Sequence, residues 1–275
     1  AEERGGGAIA MLGDGLFEKF PRPKAAIALH VDSSMQTGKV GFVPGYAMAN
    51  VDSVDIKIRG VGGHGAYPHR TKDPIVIAAQ VIMGLQTIVS RELSPTDPAV
   101  VTVGSIHGGT KHNVIPNEVD LQLTVRSYSD ETRDHIMASI ERITMSTARA
   151  AGVPPFAMPT VDIKDEYTPA LYNTPELVER VVGAFTKLLG EENIEEGEPV
   201  MGGEDFGRYG REEPRIPIFM YRLGTISEER LAAAEAEGGE PLPSLHSSKF
   251  YPEPEPTLKT GAQTLAVAVL ELMGK

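Results

Sequence analysis

Cysteine is missing from the 275 residues. That excludes disulfides, a cysteine-ligated zinc site and a thiol nucleophile within the chain. Basic residues are in the minority: 26 Lys and Arg against 38 Asp and Glu leave a formal charge of −12. Such a balance does not make a general phosphate-binding surface, so nucleic acid is not the expected partner. No run approaches the roughly 18–20 consecutive apolar residues that span a bilayer. No basic-then-apolar leader is visible. With nothing arguing for secretion or a membrane, the expected location is cytoplasmic. An internal repeat and a low-complexity tract are both lacking. An initiator Met is also absent, since the chain opens Ala1-Glu2-Glu3-Arg4-Gly5-Gly6-Gly7.

What is present suits a soluble globular protein: 41% hydrophobic and 23% charged residues, enough chain for a sizeable core. At roughly 150 residues per domain, the length predicts about two domains. Residues 8–20 read as a short helix after the glycine run, with Ile9, Leu12 and Leu16 at helical spacing. Ala25–Leu29 reads as a buried strand ending at His30, and strand ends are where open α/β sheets bind ligands. Val54, Ile56 and Ile58 then alternate with Asp55, Lys57 and Arg59 as a half-buried strand. Asp73-Pro74 supplies an N-cap and a first-turn Pro. A helix follows, with Ile75, Ala78, Ile82, Leu85 and Val89 on its inner face. Val101 to Ser105 and Val119 to Val125 are strands. Ser129 caps a helix with Ile136, Ile140 and Ile143 inward. Val161 and Ile163 close the series. The order β-α-β-β-α-β is ferredoxin-like. Thr174-Pro175 then opens a helix, Ile216–Leu223 reads as a strand, and Leu265, Val269 and Leu272 mark a last helix. The predicted architecture is an α/β domain of residues 1–46 and 169–275, with a ferredoxin-like domain of residues 47–168 inserted in it.

Few residues carry chemistry openly. Adjacent acids such as Glu2-Glu3 commonly mark a solvated surface. Beside a glycine run, one can instead bind a metal while the other serves as a general base. His30 is either a hydrogen-bonded core histidine or a ligand, and imidazole is the commonest neutral metal ligand. His246 lies in a Pro- and Ser-rich loop and is open to the same two readings. Glu3, His30 and His246 form a sparse carboxylate-and-imidazole set that suits zinc, manganese or cobalt. Gly62-Gly63-His64-Gly65-Ala66-Tyr67-Pro68-His69 is a tightly turned loop that either merely turns or presents His64 to a ligand. A second polar loop holds Asn113. Arg126 ends a strand, where a guanidinium is either a surface charge or the partner of a substrate carboxylate. Gly202-Gly203-Glu204-Asp205-Phe206 reads as a helix start with acids in its first turn.

Taken in order, Ala-Glu-Glu-Arg-Gly at 1–5, Leu-His-Val at 29–31, the segment 62–69 and Asn-Val-Ile-Pro at 113–116 form a series. Thr-Val-Arg at 124–126, Gly-Gly-Glu-Asp-Phe at 202–206 and Leu-His-Ser at 245–247 continue it. This series resembles the dinuclear metallo-amidohydrolases of the aminoacylase and carboxypeptidase family. Within that family it resembles the branch of hippurate hydrolases, N-acyl-amino-acid amidohydrolases and auxin-conjugate hydrolases. The resemblance makes the α/β domain a metallopeptidase-like catalytic domain and the inserted ferredoxin-like domain a lid and dimerisation domain, and it implies metal-dependent hydrolysis of the amide bond of N-acyl amino acids. It makes Glu2 the general base and acid, and Glu3, His30 and His246 ligands of a centre with two divalent ions (Mn, Zn, Co or Ni). It implies a homodimer formed through the lid, with His64 stabilising the oxyanion and Asn113 holding substrate in the partner's site. Arg126 becomes the candidate for the product carboxylate. No Ser or Cys nucleophile is needed for this chemistry.

The branch also has an upstream Cys-Gly-His-Asp segment that supplies further ligands. This chain begins at the Glu-Glu motif and has no Cys, so the catalytic domain is expected to be incomplete at its N-terminus. The chain alone is expected to bind metal weakly and to be nearly inactive. Two alternatives stand beside the amidohydrolase: an inactive remnant with a dimerising, ligand-binding lid, and a dipeptidase or aminopeptidase of the same family.

Overall fold

The computed structural model describes residues 6–274. The chain divides into two compact units. One consists of Met48–Ala170, Met201–Asp205 and the segment ending at Gly7; the other of Ala8–Ala47, Leu171–Val200 and Phe206–Lys275.

The first unit holds a four-stranded antiparallel sheet. Its strands lie in the order Ala99–Gly108, Glu118–Ser127, Asn50–Arg59, Thr160–Ile163. Burial alternates along Asn50–Arg59, as period-two patterning requires. Val54, Ile56, Ile58, Leu121 and Val125 point into one core with Ile136 and Ile140 of the Asp130–Ala150 helix. The helix Pro74–Thr87 starts where the sequence indicates: the Asp73 carboxylate accepts from Ile75 N at 2.9 Å. Ser129 likewise accepts from Thr132 N at 3.0 Å. The expected inner face of Pro74–Thr87 is corrected. Ile77, Ala78, Val81 and Leu85 are buried, whereas Ile75 and Val89 are exposed. Four consecutive apolar residues, Ile75 to Ala78, offer two overlapping stripes, and only packing selects between them. Together with the π turn Ile88–Glu92, this is the one stretch among the described residues long and apolar enough to cross a membrane. Its Ile77–Ile88 side is built into the core of the sheet. Entry and exit of the unit are paired, since Val51 N donates to Thr168 O at 2.8 Å and Thr168 N to Val51 O at 3.0 Å. The Asn50 side chain closes the corner, accepting from Ala170 N at 2.7 Å and donating to Ser127 Oγ at 3.1 Å.

The second unit has a mixed sheet ordered Ala26–Gln36, Ile218–Ile226, Val40–Phe42, Ile194–Glu196. Phe219, Tyr221 and Leu223 meet Leu177, Val181 and Phe185 of the Pro175–Leu189 helix, and Ala268 of the Pro254–Met273 helix. The Tyr221 hydroxyl shares a 2.7 Å hydrogen bond with Thr264 Oγ1. Burial pushes its pKa up to about 12, so it stays protonated. Two boundaries and one cap contact differ from expectation. The helix predicted over 8–20 is two pieces, Gly6–Gly13 and Leu16–Lys19, broken by Gly15 at φ 78°. Thr174 accepts from Ile218 N through its hydroxyl instead of capping its own helix. The strand starting at Ala26 does not end at His30 but runs to Gln36.

Candidate functional site

The glycine-framed loop and the Asn113 loop come together. Gly63–His64 pairs with Val114–Ile115 as a short antiparallel ladder, and Gly65 N donates to Asn113 O at 2.8 Å. The glycines make this possible: a Cβ on Gly62 would lie 2.6 Å from Ile115 O. His64 Nδ1 accepts from Ala66 N at 3.1 Å. An accepting Nδ1 places the proton of the neutral ring on Nε2. His64 thus offers an N–H donor, from an exposed ring with Tyr67 at 5.5 Å. Asn113 is exposed beside it.

Arg126 lies in the Glu118–Ser127 strand. Its Nε donates to Thr124 Oγ1 at 3.2 Å and its Nη1 to Met201 O at 3.3 Å. The Met201–Gly203 segment is pinned at two further points. Ala49 N donates to Gly202 O at 2.9 Å, and Gly203 lies so close that its Cβ would stand 2.2 Å from Val51 Cγ2. Next to Val51 on the neighbouring strand Asn50–Arg59, Asp52 is buried and paired with Arg133 at 2.7 Å. The Arg133 guanidinium sits 3.8 Å above the Tyr167 ring. Burial pushes the Asp52 carboxyl above its ordinary range, with Arg133 acting against it. The expected helix start at 202–206 is corrected in detail. A 3₁₀ helix begins at Asp205, and Glu204 precedes it; both are buried, at 7% and 8% exposure.

His30 occupies the middle of the Ala26–Gln36 strand, opposite Arg222 of its parallel neighbour. Regular pairing continues to Asp32 and breaks only between Asp32 and Gln36. His30 Nδ1 lies 2.7 Å from Val31 O. A carbonyl only accepts, so Nδ1 carries the proton and Nε2 the lone pair of the neutral ring. That is the opposite tautomer to His64, and the one a metal ligand needs, its second nitrogen held by a carbonyl. Asp32 is buried. Burial pushes its carboxyl up, but bonds from the Ser34 hydroxyl and amide and from Arg222 hold it below its ordinary range. His246 sits exposed in the loop after Ser244. Glu2 and Glu3 lie outside the described residues. Among the described residues no three metal-capable side chains gather. The donor chemistry of His30 therefore fits a metal, while the described residues alone form no complete centre.

In the sequence Asp205 reads as a first-turn acid within one of the segments of the resemblance, and the structure adds a spatial neighbour. Its carboxylate oxygen lies 3.0 Å from where a Gly7 Cβ would stand. No sequence signal joins two residues so far apart.

Residues 46–151 match the peptidase dimerisation domain designated M20. The chain is 32% identical over 277 positions to thermostable carboxypeptidase 2 of Saccharolobus solfataricus, across 100% of this chain and 65% of that protein. It is 36% identical over 257 positions to the N-acetyldiaminopimelate deacetylase of Shouchella clausii, across 93% of this chain and 62% of that protein. The crystal structure of the YxeP protein of Bacillus subtilis, described as a dinuclear metal binding peptidase, superposes with a TM-score of 0.73 at 25% identity. That match covers 99% of this chain and 63% of the other. The chain spans just under two thirds of the length of these relatives.

Proposed function

From the premise that the chain belongs to the M20 family of metallopeptidases and amidohydrolases, we propose that it serves the hydrolysis of an amide bond beside an amino-acid carboxylate. The substrate class we favour is N-acyl amino acids, hippurate-like compounds among them. A carboxypeptidase and an N-acyl deacetylase among the relatives support the class; neither name points to hippurate itself. The observation that carries the reading is the pair of opposite histidine tautomers. His64 offers Nε2–H to an oxygen that gains negative charge as water adds to the carbonyl. His30 offers an Nε2 lone pair to a cation.

The other roles fall to side chains of this chain. Asn113, held beside His64 by the short ladder, orients the substrate amide. Arg126 pairs with the carboxylate while its Nη1 stays braced on Met201 O. Glu2 takes a proton from the attacking water and returns it to the leaving nitrogen, and Glu3 and His246 complete the ligand set with His30. Bound divalent ions, for which Mn, Zn, Co and Ni all suit nitrogen and oxygen donors, would polarise the carbonyl and acidify water. The dimerisation-domain match supports a homodimer formed through residues 46–151.

The test uses protein expressed from its whole reading frame and loaded in turn with each of these metals. N-acyl amino acids are expected to be cleaved faster than free dipeptides. His64→Ala is expected to lower kcat by about 10²–10³-fold with little change in metal content. Faster cleavage of dipeptides would move the protein to the dipeptidase reading. No cleavage with any metal would leave a catalytically silent, ligand-binding remnant.

A further inference from the structure

His30 does not stand alone on its face of the sheet. Residues in register on parallel strands share a face, so Arg222 flanks it directly. A guanidinium is a poor neighbour for a cation site. It is charged at every working pH and repels any metal that approaches the Nε2 lone pair. Asp32, two residues along the strand, lies on the same face. Its Oδ2 accepts from Arg222 Nη1 at 3.1 Å. Its Oδ1 is filled by two donors, Ser34 N at 2.8 Å and Ser34 Oγ at 2.7 Å. Its backbone is fixed as well, since Asp32 O accepts from Thr225 Oγ1 at 2.6 Å just before the regular pairing breaks. On its other flank Arg222 is opposite Gly41, which brings no charge. Asp32 is buried and Arg222 half-buried, so water and salt screen the pair less than they would a surface pair. The carboxylate is therefore engaged on both oxygens, and its charge offsets that of the guanidinium beside His30. All of these residues belong to one compact unit.

We propose that Asp32 is a positioning residue for His30: it holds the Arg222 guanidinium and cancels its charge, so that His30 Nε2 can take a divalent cation. The proposal rests on the reading of His30 as a metal ligand. It deepens that reading by naming the electrostatic setting in which the ligand works.

The test is a Zn²⁺ titration of the ¹⁵N-histidine-labelled chain in low salt at about pH 8, where imidazole is neutral. NMR reads the His30 ring nitrogens, and a His30→Gln variant assigns them. Asp32→Asn keeps an acceptor for Ser34 and leaves the guanidinium charge uncompensated. It is expected to weaken Zn²⁺ binding at His30 by about threefold to tenfold. Arg222→Met leaves the carboxylate charge instead and is expected to tighten binding by a similar factor. The double variant is neutral again and is expected to return to within about twofold of the parent. High salt is expected to narrow the spread. A purely structural role would weaken binding in all three variants, with no recovery in the double one, and that result would overturn the proposal. Equal affinity at His30 in the parent and every variant would also overturn it, while the ligand reading stands. A His30 ring that Zn²⁺ moves in no variant and not in the parent would sink the ligand reading and the proposal with it.

Discussion

Glu92 ends the π turn after the Pro74–Thr87 helix and ties it to the neighbouring helix. Its carboxylate accepts from Arg142 Nη2 at 2.6 Å and from Ser139 Oγ at 2.8 Å. The Arg142 bond outweighs burial, and with Ser139 it holds the Glu92 carboxyl below its ordinary range. A carboxyl depressed in the folded state adds stability above its unfolded pKa, near 4.3. That stability is lost as pH falls through the lower, folded value. Glu92→Gln is therefore expected to cost about 1 kcal/mol at pH 7, modest because Arg142 is half exposed. The cost should fade below about pH 4. Urea denaturation of both proteins between pH 3 and 7 checks this, and a pH-independent difference would exclude the ionic contribution.

At the scale of elements, the Pro74–Thr87 helix exposes large apolar side chains. Val76 is 53% and Met83 71% exposed, and Ile106 stands exposed on the edge strand Ala99–Gly108. The proposed homodimer, formed through the unit that matches a dimerisation domain, is expected to use this face. Val76→Asp with Met83→Asp should leave the melting temperature within a few degrees, as both are surface positions, and give a monomer in sedimentation. A dimer that persists would place the interface elsewhere. The β-α-β-β-α-β order of this unit was legible because its two central strands, Asn50–Arg59 and Glu118–Ser127, alternate and its caps, Asp73 and Ser129, are local signals. The length of the Ala26–Gln36 strand was not. The polar residues Asp32, Ser33 and Ser34 made the strand read as ending at His30, yet the parallel partner Ile218–Ile226 and the Thr225 hydroxyl bond to Asp32 O hold them extended. The helix face was ambiguous for want of polar residues between Ile75 and Ala78. Candidate residues such as His64 and Arg126 could be singled out by type and setting. The contacts that give them direction, Ala66 N on His64 and Met201 O on Arg126, depend on geometry that spacing does not encode.

For the whole molecule, the two hydrophobic cores share no residue. One is built around Ile56, Leu85 and Ile140, the other around Phe185, Phe219 and Tyr221. Calorimetry is expected to resolve two transitions. Leu85→Ala should lower one and Phe185→Ala the other, each by about 2–5 kcal/mol. A single transition displaced equally by both would mean that the units unfold as one.

The paired entry and exit of the ferredoxin-like unit has a consequence for how such a chain is assembled over generations. Val51 and Thr168 bind each other through both backbone bonds, and Asn50 reaches Ala170 beside them. A stretch whose two ends already meet asks of its host only a gap one strand-spacing wide, about 4.8 Å. Its meeting ends make it a cassette by design: the host has to supply little more than that gap, and the sheet inside closes on its own backbone bonds.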